Sequence, residues 1–297
     1  MKIDKKMAVR LAKVCLWAYD FDESREAELL SFKNRTHITD ICVKDTQSTP
    51  TSFAAIVECE DVIIVAFQGT ITEFGLDGVF RLDTLVDWIQ NFKVKQVPDA
   101  KSQLPGNVHF GFLKQLNLIY DQVVAQLKIL GSKKRIVVTG HSQGGAIANL
   151  ATKRLLDDGF MIQTTYTFAA PRAGDASFAK SISSLVHRIE FGHDIVPHVP
   201  PLTNQQSLFG TFLLGILKEV DLPGPLNALA SLTKKIKKNS YQSIGSLTYR
   251  AEDGNLQSNL TRSQERKLFK ARKRKLILAG KRLVRHHGLE NYINMFS

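Results

Sequence analysis

The run Gly140-His141-Ser142-Gln143-Gly144 follows an apolar stretch, Arg135-Ile136-Val137-Val138-Thr139. It passes straight into Gly145-Ala146-Ile147-Ala148-Asn149-Leu150-Ala151. A G-x-S-x-G pattern between a strand-like and a helix-like segment is the setting of a nucleophile elbow, a turn that lifts a serine hydroxyl clear of a sheet. Gly140, Gly144 and Gly145 remove the Cβ atoms that would clash in so tight a turn. The helix that follows aims its first N–H groups and the positive end of its dipole at the place where an oxyanion would form. The chemistry such an arrangement serves is nucleophilic attack on an acyl carbonyl. A glycine-rich turn with an incidental serine is the bland alternative, and the flanking strand and helix both count against it.

A serine nucleophile needs a base, an acid that orients the base, and two donors for the oxyanion. In this class of turn the acid and base follow the serine in chain order. Asp194, opening Asp194-Ile195-Val196-Pro197 after a strand-like segment, is the candidate acid. Asp175, by contrast, reads as the N-cap of a helix starting at Ala176. The base lies among His198, His286 and His287. His198 is too near Asp194 in sequence for the role and is expected at a pocket mouth, while His141 reads as a packing residue. The N–H of Gln143 is the first oxyanion donor. The turn Phe67-Gln68-Gly69-Thr70 offers the second, from Thr70.

These residues must be held by an open, mostly parallel sheet flanked by helices. Residues 52–59 and 62–67 read as strands joined through Glu60-Asp61, and 110–130 as a helix. The nucleophile strand and a helix to Asp158 come next, then strands at 164–168 and 187–191. Residues 241–250 read as a late hairpin strand with a turn at Glu252-Asp253-Gly254-Asn255, and the chain opens on an amphipathic helix ending near Tyr19-Asp20. The alternation of strand and helix, without repeats or a linker, predicts a single α/β domain over residues 1–297.

Hydrophobic residues make up 43% of the chain and charged residues 23%, ordinary values for a globular protein. Three cysteines (Cys15, Cys42, Cys59) without metal-type spacing argue against a disulfide framework, and no cofactor or metal is implied. Arg10 and Lys13 interrupt what would have to be the apolar core of a signal peptide, so the expectation is a cytoplasmic protein. The net charge of +12 is concentrated in residues 262–285, with eleven basic side chains and one acid, Glu265. Phe269, Leu276 and Leu283 recur there at sevens, which predicts a basic amphipathic helix. Such a helix either packs as a solvated charged face or rests on an anionic membrane or lipid surface. Specific nucleic-acid binding is not expected, because no recognised motif accompanies the charge.

The chain resembles the fungal-type, or class three, lipases of the α/β-hydrolase superfamily. The matching pieces are Phe67-Gln68-Gly69-Thr70, Asp87-Trp88-Ile89-Gln90-Asn91-Phe92, Val108-His109-Phe110-Gly111-Phe112, the elbow, and Phe168-Ala169-Ala170-Pro171-Arg172-Ala173-Gly174. Asp194-Ile195-Val196-Pro197 with Pro200-Pro201 and a C-terminal histidine complete the order. The resemblance implies an α/β-hydrolase fold with a lid, Asp194 as triad acid, and Thr70 as an oxyanion-hole residue. His287, followed five residues later by Tyr292, matches the family's base, and His109 matches a structural position. The implied function is a serine carboxylic-ester hydrolase, a lipase cleaving acylglycerol esters through an acyl-enzyme on Ser142. A phospholipase, a soluble-ester carboxylesterase, and a catalytically silent lipid-binding or interaction module are the alternatives. The segment 71–86, with Phe74, Leu76, Val79, Phe80 and Leu82, is longer than the family's lid helix and is expected to cover the site. Residues 203–285 are expected as an inserted region, holding the apolar run 208–217 and the basic segment. The run is too short to span a bilayer.

Overall fold

In the computed structural model the described residues are 2–19, 35–44, 50–69, 95–101, 104–131, 133–202, 240–278 and 285–296. The expected lid (71–86), Thr70, residues 87–92 and the apolar run 208–217 lie outside them.

Helix α1 (Lys5–Trp17) is capped by Asp4, whose carboxylate accepts the Met7 N–H. Strands β1 (Arg35–Lys44), β2 (Pro50–Cys59) and β3 (Val62–Phe67) follow. The short pair β4 (Gln96–Val97) and β5 (Val108–His109) leads into α2 (Phe110–Ile129). Then come β6 (Arg135–His141), α3 (Gln143–Asp157), β7 (Ile162–Phe168), α4 (Ala176–Ile182) and β8 (Val186–Phe191). The C-terminal part carries β9 (Ser246–Arg250), β10 (Leu256–Ser258), α5 (Arg262–Leu278) and α6 (Leu289–Ile293).

Among the described residues the main sheet has eight strands in the order β1-β2-β3-β6-β7-β8-β9-β10. The centre, β3 through β9, is parallel, and antiparallel pairs close both ends. Alternation along the central strands sends Ile63, Val65, Phe67, Ile136 and Val138 to one face, under α2, α3 and α4. Ile64, Ala66 and Val137 go to the other, under α1 and α6. A sheet covered on both faces is written in continuous apolar strands, which is how β3 and β6 read.

The register aligns Phe67 with Gly140, Gly140 with Thr167, and Phe168 with Ile189. The carboxyl ends of β3, β6, β7 and β8 therefore finish on one edge, where open α/β sheets place their sites. Two elements depart from the sequence reading. β1, an edge strand whose isoleucines do not alternate strictly, carries little period-2 signal. The strand expected over 241–250 begins only at Ser246. Gly245 bends the chain there with φ +76, and a Cβ would sit 2.2 Å from the Val186 carbonyl oxygen. β9 and β10 also lie inside the 203–285 region, so part of the stretch expected as an insertion belongs to the central sheet.

Candidate active site

Ser142 sits between β6 and α3 with φ 55 and ψ −130, a backbone conformation uncommon for a residue with a side chain. The neighbouring glycines are required by contact. A Cβ on Gly140 would lie 2.3 Å from the Gly144 carbonyl group, and one on Gly144 would lie 2.0 Å from the Phe67 carbonyl oxygen. The turn is pinned from below by the Ser142 N–H, which donates to the Phe168 carbonyl at 2.9 Å. Such strain costs about 1–3 kcal/mol and persists only where the surroundings enforce it. Gln143 is the first residue of α3, so its amide stands at the positive end of the helix.

His287 reaches the serine from the turn before α6. Its Nε2 lies 2.9 Å from Ser142 Oγ, and its Nδ1 lies 3.0 and 3.2 Å from the two carboxylate oxygens of Asp194. Asp194 follows the end of β8 and is fully buried. Beyond His287, its carboxylate accepts the Val196 N–H at 2.9 Å and the Tyr292 hydroxyl at 2.6 Å. Burial, and then the negative charge of Asp194, push the Tyr292 hydroxyl well above its ordinary pKa, so it stays a donor.

A second set of contacts holds the imidazole from its backbone side. His141 Nε2 lies 2.9 Å from the His287 carbonyl oxygen, which can only accept, so Nε2 carries the proton. His141 Nδ1 then accepts from the Tyr19 hydroxyl at 3.0 Å. Burial, with the nearby His287, lowers the His141 pKa to about 3 and keeps the ring neutral in this role. The Tyr19 hydroxyl also packs against Gly69, where a Cβ would collide with it. Tyr19, two residues past the end of α1, thus links that helix to the base through His141.

Four of the five expected site residues, Ser142, Gln143, Asp194 and His287, thus stand at one edge of the sheet; Thr70 lies outside the described residues. His286 points away from the serine and toward Glu252, its Nε2 3.2 Å from that carboxylate. Asp175 is the helix cap anticipated for it, accepting the Ser177 and Phe178 N–H groups at 3.0 Å each. His109 caps α2 in the same manner. His198 differs from its expected place at a pocket mouth: it is buried, with Nε2 3.7 Å from Glu190 and its ring on Phe269. The sequence reading missed the contacts of Tyr19 and His141. Their signal was the histidine directly before the serine, too common in packing roles to single out. Among the described residues no cluster of three or more His, Cys, Asp or Glu side chains is arranged to hold a metal ion.

Residues 78–204 match the sequence profile of the family described as Lipase (class 3). A secreted mono- and diacylglycerol lipase of Fusarium solani is 31% identical over 176 residues, covering 54% of this chain and 47% of that protein. A rice phospholipase A1-II is 26% identical over 168 residues, covering 47% of this chain and 40% of that protein. The chain therefore spans less than half the length of these relatives. Among solved structures, the triacylglyceride lipase of Rhizomucor miehei superposes with a TM-score of 0.59 at 16% identity, over 89% of this chain and 88% of that one. Lipase II of Rhizopus niveus gives 0.53 at 20% identity, over 82% and 80%. At those identities the likeness establishes the fold, which is that of the α/β-hydrolases.

Proposed function

We propose that this chain, a relative of the class 3 lipases with an α/β-hydrolase fold, is a serine carboxylic-ester hydrolase acting on acylglycerols. The observation that carries the reading is the hydrogen-bonded line Ser142 Oγ, His287 Nε2, His287 Nδ1, Asp194, built on a strained serine. In the proposed reaction His287 Nε2 takes the Ser142 proton as Oγ attacks the ester carbonyl. Asp194 stabilises the imidazolium and holds its Nδ1–H. The N–H groups of Gln143 and Thr70 receive the oxyanion. His287 returns the proton to the departing alcohol and leaves an acyl-enzyme on Ser142. It then deprotonates a water molecule, which releases the acid and restores the serine.

Acylglycerol is preferred as substrate because the Fusarium relative is a mono- and diacylglycerol lipase. A phospholipid substrate is the second reading, supported by the rice relative. A catalytically silent binding module is disfavoured, since a module of that kind has no use for a serine strained against a base and a buried acid.

We further propose that α5 faces an anionic lipid surface. Its first turns are fixed to the body by Glu265, which pairs with the buried Arg188 at 2.8 Å, and by Phe269 on His198. Arg266, Lys267 and Lys270 are left exposed. The test is hydrolysis of monoacyl-, diacyl- and triacylglycerol, a phospholipid and a short p-nitrophenyl ester, each with and without anionic vesicles. Acylglycerol turnover that rises with vesicles is expected. Short-ester turnover indifferent to vesicles would reduce the protein to a soluble esterase, and preferential phospholipid cleavage would select the second reading.

A further inference from the structure

Outside the triad, three side chains meet at a joint that the reaction does not use. Glu252 lies on the turn between β9 and β10 and places one carboxylate oxygen 3.2 Å from His193 Nε2 and the other 3.2 Å from His286 Nε2. His193 and His286 are the residues immediately before Asp194 and His287. The two loops are also joined directly, since the His193 N–H donates to His286 Nδ1 at 2.8 Å. That bond fixes the tautomer: with Nδ1 accepting, the proton of His286 is on Nε2, facing the Glu252 carboxylate.

The surrounding backbone is shaped to admit this joint. Gly192 has φ +50, and a Cβ there would lie 2.4 Å from His286 Nδ1. Its N–H donates to the Arg250 carbonyl at 2.8 Å and its carbonyl accepts the Tyr249 hydroxyl at 3.2 Å, so the end of β9 grips the same residue. Phe191 sets its ring edgewise to His286 at 5.3 Å. Asp194 and His287 are separated by 93 residues of chain. Their neighbours are tied through one carboxylate.

We propose that Glu252 is a positioning residue for the triad, its carboxylate clamping His193 to His286 and so fixing the spacing of Asp194 and His287. Consecutive Cα atoms are only 3.8 Å apart, so a shift of His193 or His286 is passed to its triad neighbour with little loss. Misplacement of a catalytic group by about 1 Å costs up to about a hundredfold in rate. The inference rests on the ester-hydrolase reading of Ser142.

Because Glu252 is 40% exposed, its removal leaves no buried cavity. The experiment compares wild type, Glu252→Ala and Glu252→Gln for kcat and KM on a p-nitrophenyl ester, for the rate of Ser142 phosphonylation by a fluorophosphonate, and for thermal midpoint. Glutamine's carbonyl oxygen can accept from one histidine, while its amide nitrogen cannot accept from the other. For folded Glu252→Ala, kcat is expected to fall about tenfold or more with KM nearly unchanged, and phosphonylation to slow in step. Glu252→Gln falls between. Equal kcat and labelling rate in wild type and Glu252→Ala would overturn the clamp, as would an activity loss no larger than the unfolded fraction. A wild type that neither hydrolyses the ester nor takes up the phosphonate would instead overturn the hydrolase reading, and the clamp's catalytic meaning with it.

Discussion

His286 and His287 are adjacent in the chain and have opposite surroundings. One ring faces Glu252, and the other lies between Ser142 and Asp194. His287→Ala is expected to lower kcat for ester hydrolysis by about a millionfold, since losing the base costs about as much as losing the serine. His286→Ala keeps the base but removes one of the two histidines that Glu252 clamps, so its loss is expected to stay near that of Glu252→Ala; steady-state kinetics on the folded variants would distinguish them, and equal losses in His286→Ala and His287→Ala would contradict the assignment. Both the serine and the acid were legible in the sequence, because a nucleophile elbow and an aspartate past a strand end are local patterns. The choice between the histidines was not a matter of local pattern. It needed the family resemblance, since which ring faces the serine is decided by how the turn after Arg285 packs on the Asp194 loop. Tyr19, His141 and Glu252 were not legible either: each acts across more than 30 residues, through contacts no spacing records.

Elements succeed or fail here by their ends. α4 is short, and Asp175 serves it twice, capping its first N–H groups and accepting the Asn107 N–H at 2.7 Å. Asp175→Ala is expected to destabilise the fold by about 1–2 kcal/mol, in the range of a lost N-cap. Its kcat should be unchanged, because Asp175 holds no atom of the triad. Urea unfolding and ester kinetics on the same sample would check both, and a large loss of kcat in a fully folded variant would reopen the choice of acid. The central strands were readable because burial on both faces writes them as apolar runs. β1 and the start of β9 were not. An edge strand needs only one paired side, and the bend at Gly245 is imposed by Val186 from a different strand.

The whole molecule carries histidines that it holds neutral. Burial lowers the pKa of His109 to about 3, and burial with the nearby His287 does the same for His141; burial takes His187 to about 4. Each is lowered from 6.5, so between 6.5 and about 3–4 the unfolded chain binds protons that the native state refuses. Their contribution to stability is therefore complete above pH 6.5 and is lost as pH falls through that window. The urea midpoint is expected to be flat above about pH 7 and to fall steadily toward about pH 4.5; a midpoint that rose on acidification would contradict this. The class of fold was legible at this scale from the alternation of strands and helices. The basic segment was legible only as a charge run, and its docking through Glu265 to the buried Arg188 is a tertiary fact. The central claim is that Ser142 is the nucleophile of an ester hydrolase, and the most direct measurement is hydrolysis of a monoacylglycerol and a p-nitrophenyl ester by wild type and by Ser142→Ala of matched thermal midpoint. Turnover by wild type with a loss of about a millionfold in kcat, to background, in the variant is the predicted result. Full turnover by Ser142→Ala, or none by the folded wild type, would contradict it.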